Sequence, residues 1–116
     1  MGYTAIVDYG VGNLMSVFNA MHYLGFETKI TSDATELELA DSILLPGVGA
    51  FPDAADKLRG PGLDQVLIAE SKKKPILGIC LGMQLLLERG EEVRPCKGLG
   101  FVKGSVRKID TALKLP

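Results

Sequence analysis

One local pattern occurs three times in this chain: a short apolar run, then a loop that contains glycine, then a segment of helical character. The apolar runs are residues 3–8, 42–45 and 75–79. Strands that alternate with helices favour a parallel sheet, because right-handed crossovers lay the connecting helices against the sheet. The chain is therefore predicted to form an α/β fold, with an open, mostly parallel sheet and helices on both faces.

The segments around these three units carry weaker patterns. Apolar residues recur at helical spacing after Asn13, which is predicted to cap the helix, and Gly25 supplies a helix stop. Residues 26–31 alternate between apolar and polar, as a half-buried strand does. Further helices are predicted over residues 52–59, 63–71 and 81–88.

Two stretches are predicted to have structural roles and no catalytic or binding role. Lys72-Lys73-Lys74 follows a predicted helix and is typical of a solvated helix end, where cations complement the helix dipole. In the tail, residues 94–97 are predicted to be a polar loop and residues 105–109 a strand.

Composition limits the possible functions. The chain has 116 residues with 13 basic and 14 acidic side chains, which gives a net charge of -1. This balance argues against a nucleic-acid binder or a membrane-surface protein, and no run approaches the roughly 20 apolar residues of a membrane helix. Cys80 and Cys96 are too few for a disulfide scaffold and lack the spacing of a zinc site. We therefore predict a single cytoplasmic domain over residues 1–116, with no metal site.

The strongest chemical signal is Gly78-Ile79-Cys80-Leu81-Gly82, which lies between an apolar strand and an apolar helix. It has the form of a nucleophile elbow, with cysteine in place of serine. Glycine is needed two residues before and two residues after the nucleophile, because the abrupt turn crowds both positions. Cys80 would be exposed at a helix N-terminus, whose free amides and dipole favour a thiolate. The alternative is a small buried cysteine with only a packing role.

Two further features are predicted to lie beside Cys80. Pro46-Gly47-Val48-Gly49 ends the preceding strand, and loops at the carboxyl ends of parallel strands surround the ligand crevice. Backbone amides of this loop, together with that of Leu81, are candidates to hold an oxyanion, although a plain strand-terminating turn fits the loop equally well. Gln84 lies four residues after Cys80 on the same helix face, either as a substrate contact or as an internal hydrogen-bond partner.

Three other features are not assigned catalytic chemistry. Gly10-Val11-Gly12 begins like a dinucleotide fingerprint, but Met15 stands where the third glycine is required. Cys96 lies in the predicted polar loop and has no elbow around it. His22 is the only histidine, and it is predicted on the order of 12 Å from the carboxyl edge of the sheet, too far to deprotonate Cys80.

Four segments together resemble the class I glutamine amidotransferases. They are Tyr9-Gly-Val-Gly-Asn-Leu14, Leu45-Pro-Gly-Val-Gly-Ala-Phe51, Gly78-Ile-Cys-Leu-Gly-Met-Gln84 and Gly98-Leu-Gly100. The third segment is typical of the superfamily, and the first two are most similar to the glutaminase subunits of imidazole glycerol phosphate synthases. The resemblance covers essentially the whole chain.

This resemblance implies acyl transfer from glutamine. Cys80 would attack the side-chain amide, amides of Val48, Gly49 and Leu81 would hold the oxyanion, and ammonia would leave before water cleaves the thioester. Gly49 and Gln84 match positions that contact glutamine in the family. The resemblance also implies a heterodimer with a cyclase subunit that receives the ammonia, and no metal or organic cofactor.

One departure from the family pattern leads to a prediction about activity. Family members continue into a segment with a catalytic histidine and, two residues later, a glutamate, and neither residue occurs in this chain. The domain is therefore expected to be incomplete, and the 116-residue chain to release no measurable ammonia from glutamine, because no base takes the thiol proton. An ammonia assay on the purified chain measures this, and turnover would contradict it. Cys80 should still react with thiol alkylators faster than Cys96.

The same departure predicts an open sheet edge. An unpaired edge strand is able to pair with a second copy of the chain, so self-association is expected. A strictly monomeric scattering profile at high concentration would count against it.

Two other functions remain open at this point. A related cysteine-elbow hydrolase would use Cys80 without selecting the glutamine side chain, and a glutamine-analogue electrophile distinguishes the two. A non-catalytic partner-binding module would bind a cyclase subunit equally well after Cys80→Ala.

Overall fold

The computed structural model describes residues 2–114. In chain order the elements are β1 (Thr4–Val7), α1 (Leu14–Tyr23), β2 (Thr28–Thr31), α2 (Ala34–Leu39), β3 (Ser42–Leu45), α3 (Phe51–Arg59), α4 (Leu63–Ser71), β4 (Ile76–Gly78), α5 (Leu81–Leu85), β5 (Leu87–Gly90), β6 (Cys96–Lys97) and β7 (Val102–Val106). Within this part of the chain, no helix is long and apolar enough to cross a bilayer.

The first four strands form one parallel sheet in the order β2-β1-β3-β4. This confirms the predicted parallel sheet. The crossover from β1 to β2 runs one way along the sheet and the later crossovers run the other way. Right-handed connections therefore place α1 on one face and α2, α3 and α4 on the other. The order reverses between β1 and β3, so the loops that leave these two strands flank the crevice at the sheet's carboxyl edge.

The main core lies between this sheet and the helices of the second face. Ala5, Val7, Ile43 and Leu45 point into it from the sheet, and Phe51 is fully buried among them. The apolar residues contributed by the helices are Leu37, Ala54, Ala55, Leu58, Leu63, Leu67, Leu81 and Leu85. Removal of this apolar surface from water is the main stabilisation of the fold.

The ends of α1 follow the predicted signals. The Asn13 side chain accepts a hydrogen bond from the Ser16 amide at 3.2 Å, which caps the first turn. Gly25 has a φ of 87° and ends the helix in the left-handed conformation that favours glycine.

The leucine-rich helix predicted over residues 81–88 is wrong beyond Leu85. The chain continues as β5, and the carbonyls of Leu85 and Leu86 accept hydrogen bonds from the amides of Leu99 and Phe101, at 2.8 Å each. The amides of Leu99 and Phe101 therefore take the place of the amides that a further helical turn would have offered to these two carbonyls. A run of leucines is compatible with a helix or with a buried strand, and the distant partner decides between them.

The tail forms a second sheet in the order β6-β5-β7. The polar loop predicted over residues 94–97 is wrong at Cys96 and Lys97, which pair antiparallel with β5. The strand predicted over residues 105–109 lies earlier, at Val102–Val106, because its parallel register with β5 begins at Leu87↔Val102. Short strands take their limits from the strand they pair with more than from their own pattern.

Candidate active site

Cys80 occupies a strained turn between β4 and α5. Its φ is 55° and its ψ is -122°, and it is the N-cap residue of α5. A positive φ is uncommon for a residue with a side chain and costs free energy that the surrounding structure must supply. Its thiol is exposed, whereas that of Cys96 is buried. The predicted elbow conformation at Cys80 is therefore present.

The two elbow glycines leave no room for side chains. A Cβ atom at Gly78 would lie 2.6 Å from the Cα of Met83, and one at Gly82 would lie 1.9 Å from the carbonyl oxygen of Leu45. Both neighbours are backbone atoms, which cannot turn away as a flexible side chain does. The crowding expected from the motif therefore has a specific cause: β4, α5 and the end of β3 approach one another backbone to backbone.

The loop that follows β3 faces the elbow, as predicted from the sheet. The Leu81 N–H donates to the Gly47 carbonyl at 3.2 Å, which ties the first residue of α5 to this loop. Val48 and Gly49 come next and are both exposed, and Gly49 has a φ of 102°. The three candidate oxyanion donors thus belong to adjoining backbone segments, and the Leu81 donor is already in use.

Gln84 borders a cleft of about 540 Å³. Its side chain is half-buried, and the cleft is also lined by Glu91, Glu92 and Arg107. Glu92 was not singled out in the sequence. Its Oε1 accepts a hydrogen bond from the Phe51 amide, at the N-terminus of α3, at 3.0 Å. Two successive acidic residues after the leucine run were the available signal.

Tyr9 is a second residue that the sequence did not mark as functional. It lies in the loop after β1, it is 6% exposed, and its hydroxyl donates to the Pro46 carbonyl at 2.6 Å. Burial raises the pKa of this phenol well above its ordinary value. The hydroxyl therefore remains protonated, and able to donate, at neutral pH.

His22 and Cys96 lie away from the elbow. His22 is in the last turn of α1, where its ring stacks on Phe18 with 6.3 Å between ring centroids. Cys96 lies on β6, and its sulfur accepts a hydrogen bond from the Arg59 guanidinium at 3.1 Å. Neither residue is part of the Cys80 site. Among residues 2–114, no group of three or more His, Cys, Asp or Glu side chains is arranged to hold a metal ion.

Comparison with known families and proteins gives a consistent result. The model of the family described as glutamine amidotransferase class-I matches residues 5–111. An imidazole glycerol phosphate synthase subunit HisH from Bacillus cereus is 50% identical over 113 residues, which are 97% of this chain and 54% of that protein. The HisH subunit of Bacillus thuringiensis is 49% identical over 114 residues, with the same coverage. The chain spans about half the length of these curated relatives.

Solved structures support the fold alone. A crystal structure of a glutamine amidotransferase superposes with a TM-score of 0.77 at 19% identity, over 91% of this chain and 56% of that one. A putative peptidase E protein from Listeria monocytogenes superposes with a TM-score of 0.64 at 17% identity, over 77% of this chain and 52% of that one.

Proposed function

Because the chain belongs to the class I glutamine amidotransferase family, we propose that it carries the nucleophile and the oxyanion loop of a glutaminase. The Cys80 sulfur attacks the side-chain carbonyl carbon of glutamine and forms a thioester, and ammonia leaves. Water then cleaves the thioester and releases glutamate. The observation that carries the proposal is the exposed Cys80 thiol, held at a φ of 55° in an elbow that contacts the loop after β3.

Backbone amides of Val48, Gly49 and Leu81 are assigned to the oxyanion of the tetrahedral intermediate. Such donors contribute most when they are aimed at the charge as it develops. The Leu81 N–H now donates to the Gly47 carbonyl, so it becomes available only when that carbonyl turns away. The exposed position of Val48 and the positive φ of Gly49 allow the loop to rearrange without disturbing the core.

We assign the cleft beside Gln84, whose lining residues do not include Cys80, to the amino-acid end of the substrate. Glutamine carries an ammonium and a carboxylate besides the amide that reacts, and the cleft presents Glu92 and Arg107 as groups of opposite sign. Arg107 already lies 3.6 Å from Glu91, whereas within residues 2–114 the Glu92 carboxylate accepts a hydrogen bond from the Phe51 amide alone. We assign the Glu92 carboxylate to the substrate ammonium and the Gln84 amide to a polar contact with the substrate.

We assign the general base that deprotonates Cys80 to a residue outside residues 1–116. His22 stacks on Phe18 at the far end of α1 and is not available to Cys80. We propose that residues 1–116 are part of a single glutaminase domain. A histidine and a glutamate from a segment that corresponds to the remaining length of the relatives would complete it. In that assembly the histidine takes the thiol proton and protonates the leaving amine.

We propose a cyclase subunit of imidazole glycerol phosphate synthase as the partner that receives the ammonia. Relatives at 50% identity are named as subunits of that synthase, and this name supports a heterodimer in histidine biosynthesis. A cytoplasmic location fits the two unpaired cysteines. The thioester chemistry as written needs no metal or organic cofactor.

A γ-nitrophenyl ester of glutamate tests the proposed function on the chain itself. Nitrophenolate leaves without being protonated, so the acylation of Cys80 needs no general acid. We expect one nitrophenolate per chain and a glutamyl adduct on Cys80 by mass spectrometry. The β-ester of aspartate, which is shorter by one methylene, should react about tenfold more slowly. Cys96→Ala should keep the reaction and Cys80→Ala should lose it. Equal rates for the two esters would favour a cysteine hydrolase of another specificity.

Gln84→Leu is expected to lower the rate of this acylation about tenfold, the effect of one lost hydrogen bond to a charged or polar substrate group. Alkylation of Cys80 by iodoacetamide, which makes no use of a glutamine site, should not change. The matched control is Gln65→Leu, since Gln65 is an exposed residue of α4. If Gln84→Leu slows both reactions equally, the side chain supports the elbow rather than the substrate.

A further inference from the structure

Two successive carbonyls after β3 are held by donors from opposite sides. The Pro46 carbonyl accepts from the Tyr9 hydroxyl at 2.6 Å, and the next carbonyl, that of Gly47, accepts from the Leu81 N–H at 3.2 Å. The first donor comes from the loop after β1, and the second comes from the elbow after β4. The loop after β3 is therefore hydrogen-bonded both to the loop after β1 and to the start of α5, at the carboxyl edge of the sheet where the proposed chemistry occurs.

The geometry follows from the position of β3 between β1 and β4. Successive carbonyls of an extended segment point to alternate sides, toward one neighbouring strand and then toward the other. The strand β1 ends at Val7, so no backbone N–H of β1 remains to meet the Pro46 carbonyl. The Tyr9 side chain reaches across the crevice and supplies the missing donor. In effect it extends the β1–β3 ladder by one hydrogen bond.

We propose that Tyr9 is a positioning residue for the oxyanion loop: its hydroxyl fixes the Pro46 carbonyl and thereby holds the Gly47 carbonyl on the Leu81 amide. This inference rests on the proposed glutaminase function. The hydroxyl does not touch the nucleophile. It acts through the loop by stabilising the arrangement in which the Leu81 donor is occupied.

The packing at Gly47 supports a tight coupling between Tyr9 and the elbow. A Cβ atom on Gly47 would lie 2.8 Å from the Tyr9 hydroxyl oxygen and 2.9 Å from the Gly82 nitrogen. Gly47 therefore packs closely against Tyr9 on one side and against the start of α5 on the other. The buried ring cannot swing away without opening the core, because Tyr9 is only 6% exposed.

Tyr9→Phe tests the proposal, because it removes the hydroxyl and keeps the buried ring. Hydrogen exchange at the Leu81 amide, followed by NMR, should become about fivefold faster, since loss of one neutral hydrogen bond eases local opening. The matched control is Tyr3→Phe, which also loses a hydroxyl-to-carbonyl hydrogen bond, to Glu36 in α2. In that variant the exchange at Leu81 should change less than twofold. The Leu44 amide of the sheet reports whether either variant loosens the whole fold.

A second readout separates positioning from general support of the fold. In Tyr9→Phe, acylation of Cys80 by the glutamyl ester should become about threefold faster relative to alkylation by iodoacetamide. The reason is that only acylation passes through an oxyanion, which needs the Leu81 donor to be released.

Unchanged exchange at Leu81, an equal rise in Tyr3→Phe, or an equal loss of protection at Leu44 would overturn the proposal. An unchanged ratio of the two Cys80 reactions would also overturn it. Failure of the unaltered chain to be acylated would instead overturn the proposed glutaminase function, and the exchange at Leu81 would still decide the role of Tyr9.

Discussion

Gly82→Ala is expected to lower the free energy of unfolding by about 3 kcal/mol or more, a larger effect than most single changes produce. The added Cβ would lie 1.9 Å from the carbonyl oxygen of Leu45. That oxygen cannot retreat freely, because it also accepts the Ile79 N–H, just beyond the end of β4, at 3.0 Å. Relief of the clash would separate α5 from the sheet and disturb the turn that holds Cys80. Urea denaturation followed by circular dichroism measures the loss.

Gly60→Ala is the matched control for this prediction. Gly60 has right-handed helical angles, and a Cβ there would lie 3.5 Å from the Asp56 carbonyl, which is ordinary contact. The substitution should change the free energy of unfolding by less than about 1 kcal/mol, because restriction of the unfolded chain offsets the mild strain of a helical residue before Pro61. An unfolding midpoint of Gly82→Ala equal to that of Gly60→Ala would contradict the backbone contact at the elbow.

The first half of the fold and the elbow could be predicted from local sequence. β1, α1 and β3 are each marked within a few residues, by an apolar run, a cap or a glycine. The Cys80 turn is marked by the glycines on either side of it. These signals are local because strand ends, caps and tight turns depend on side chains that are close in the chain. The parallel sheet then follows from the order of the elements.

Interactions between distant residues could not be predicted in the same way. The end of α5 at Leu85 depends on amides from residues 98–101, and the place of Tyr9 depends on the Pro46 carbonyl, 37 residues away.

The role of Lys74 could be predicted only in part from the sequence. Its spacing from Glu70 is that of a helical ion pair, but the interpretation of the lysine triplet as a solvated helix end is wrong for Lys74, whose side chain is 8% exposed. Its burial comes from α2, which no local pattern reveals.

Lys74→Met is expected to cost about 3 kcal/mol of stability, because it leaves the Glu70 carboxylate buried without its cation. The Lys74 Nζ atom lies 2.9 Å from Glu70 Oε1, and Glu70 is 3% exposed. The same ammonium donates to the carbonyls of Leu37 and Glu38, at 2.9 and 2.7 Å, at the C-terminal end of α2. Lys74 therefore joins the ends of α2 and α4, and chemical denaturation should register its loss.

Two variants locate the origin of this effect. Lys73→Met should change stability by less than about 0.5 kcal/mol, because the Lys73 side chain is 69% exposed and lies 3.7 Å from Glu70. The double variant Glu70→Leu/Lys74→Met should recover at least half of the loss, since no charge is then left buried. A double variant as unstable as Lys74→Met would instead assign the loss to the two α2 carbonyls.

The effect of Lys74→Met should also depend on pH. The hydrogen bond from Lys74 holds the pKa of Glu70 below its ordinary value of 4.5. Glu70 is thus ionised more readily in the folded chain than in the unfolded chain. The stabilisation from the pair is complete above the unfolded pKa and is lost as the pH falls through the lowered folded pKa. The stability difference between the parent and Lys74→Met should therefore be full at neutral pH and shrink as the solution becomes acidic, because protonation of Glu70 also relieves the unpaired buried carboxylate of the variant. Unfolding curves at neutral and acidic pH measure this, and a difference that stays constant would contradict an ionised pair as its source.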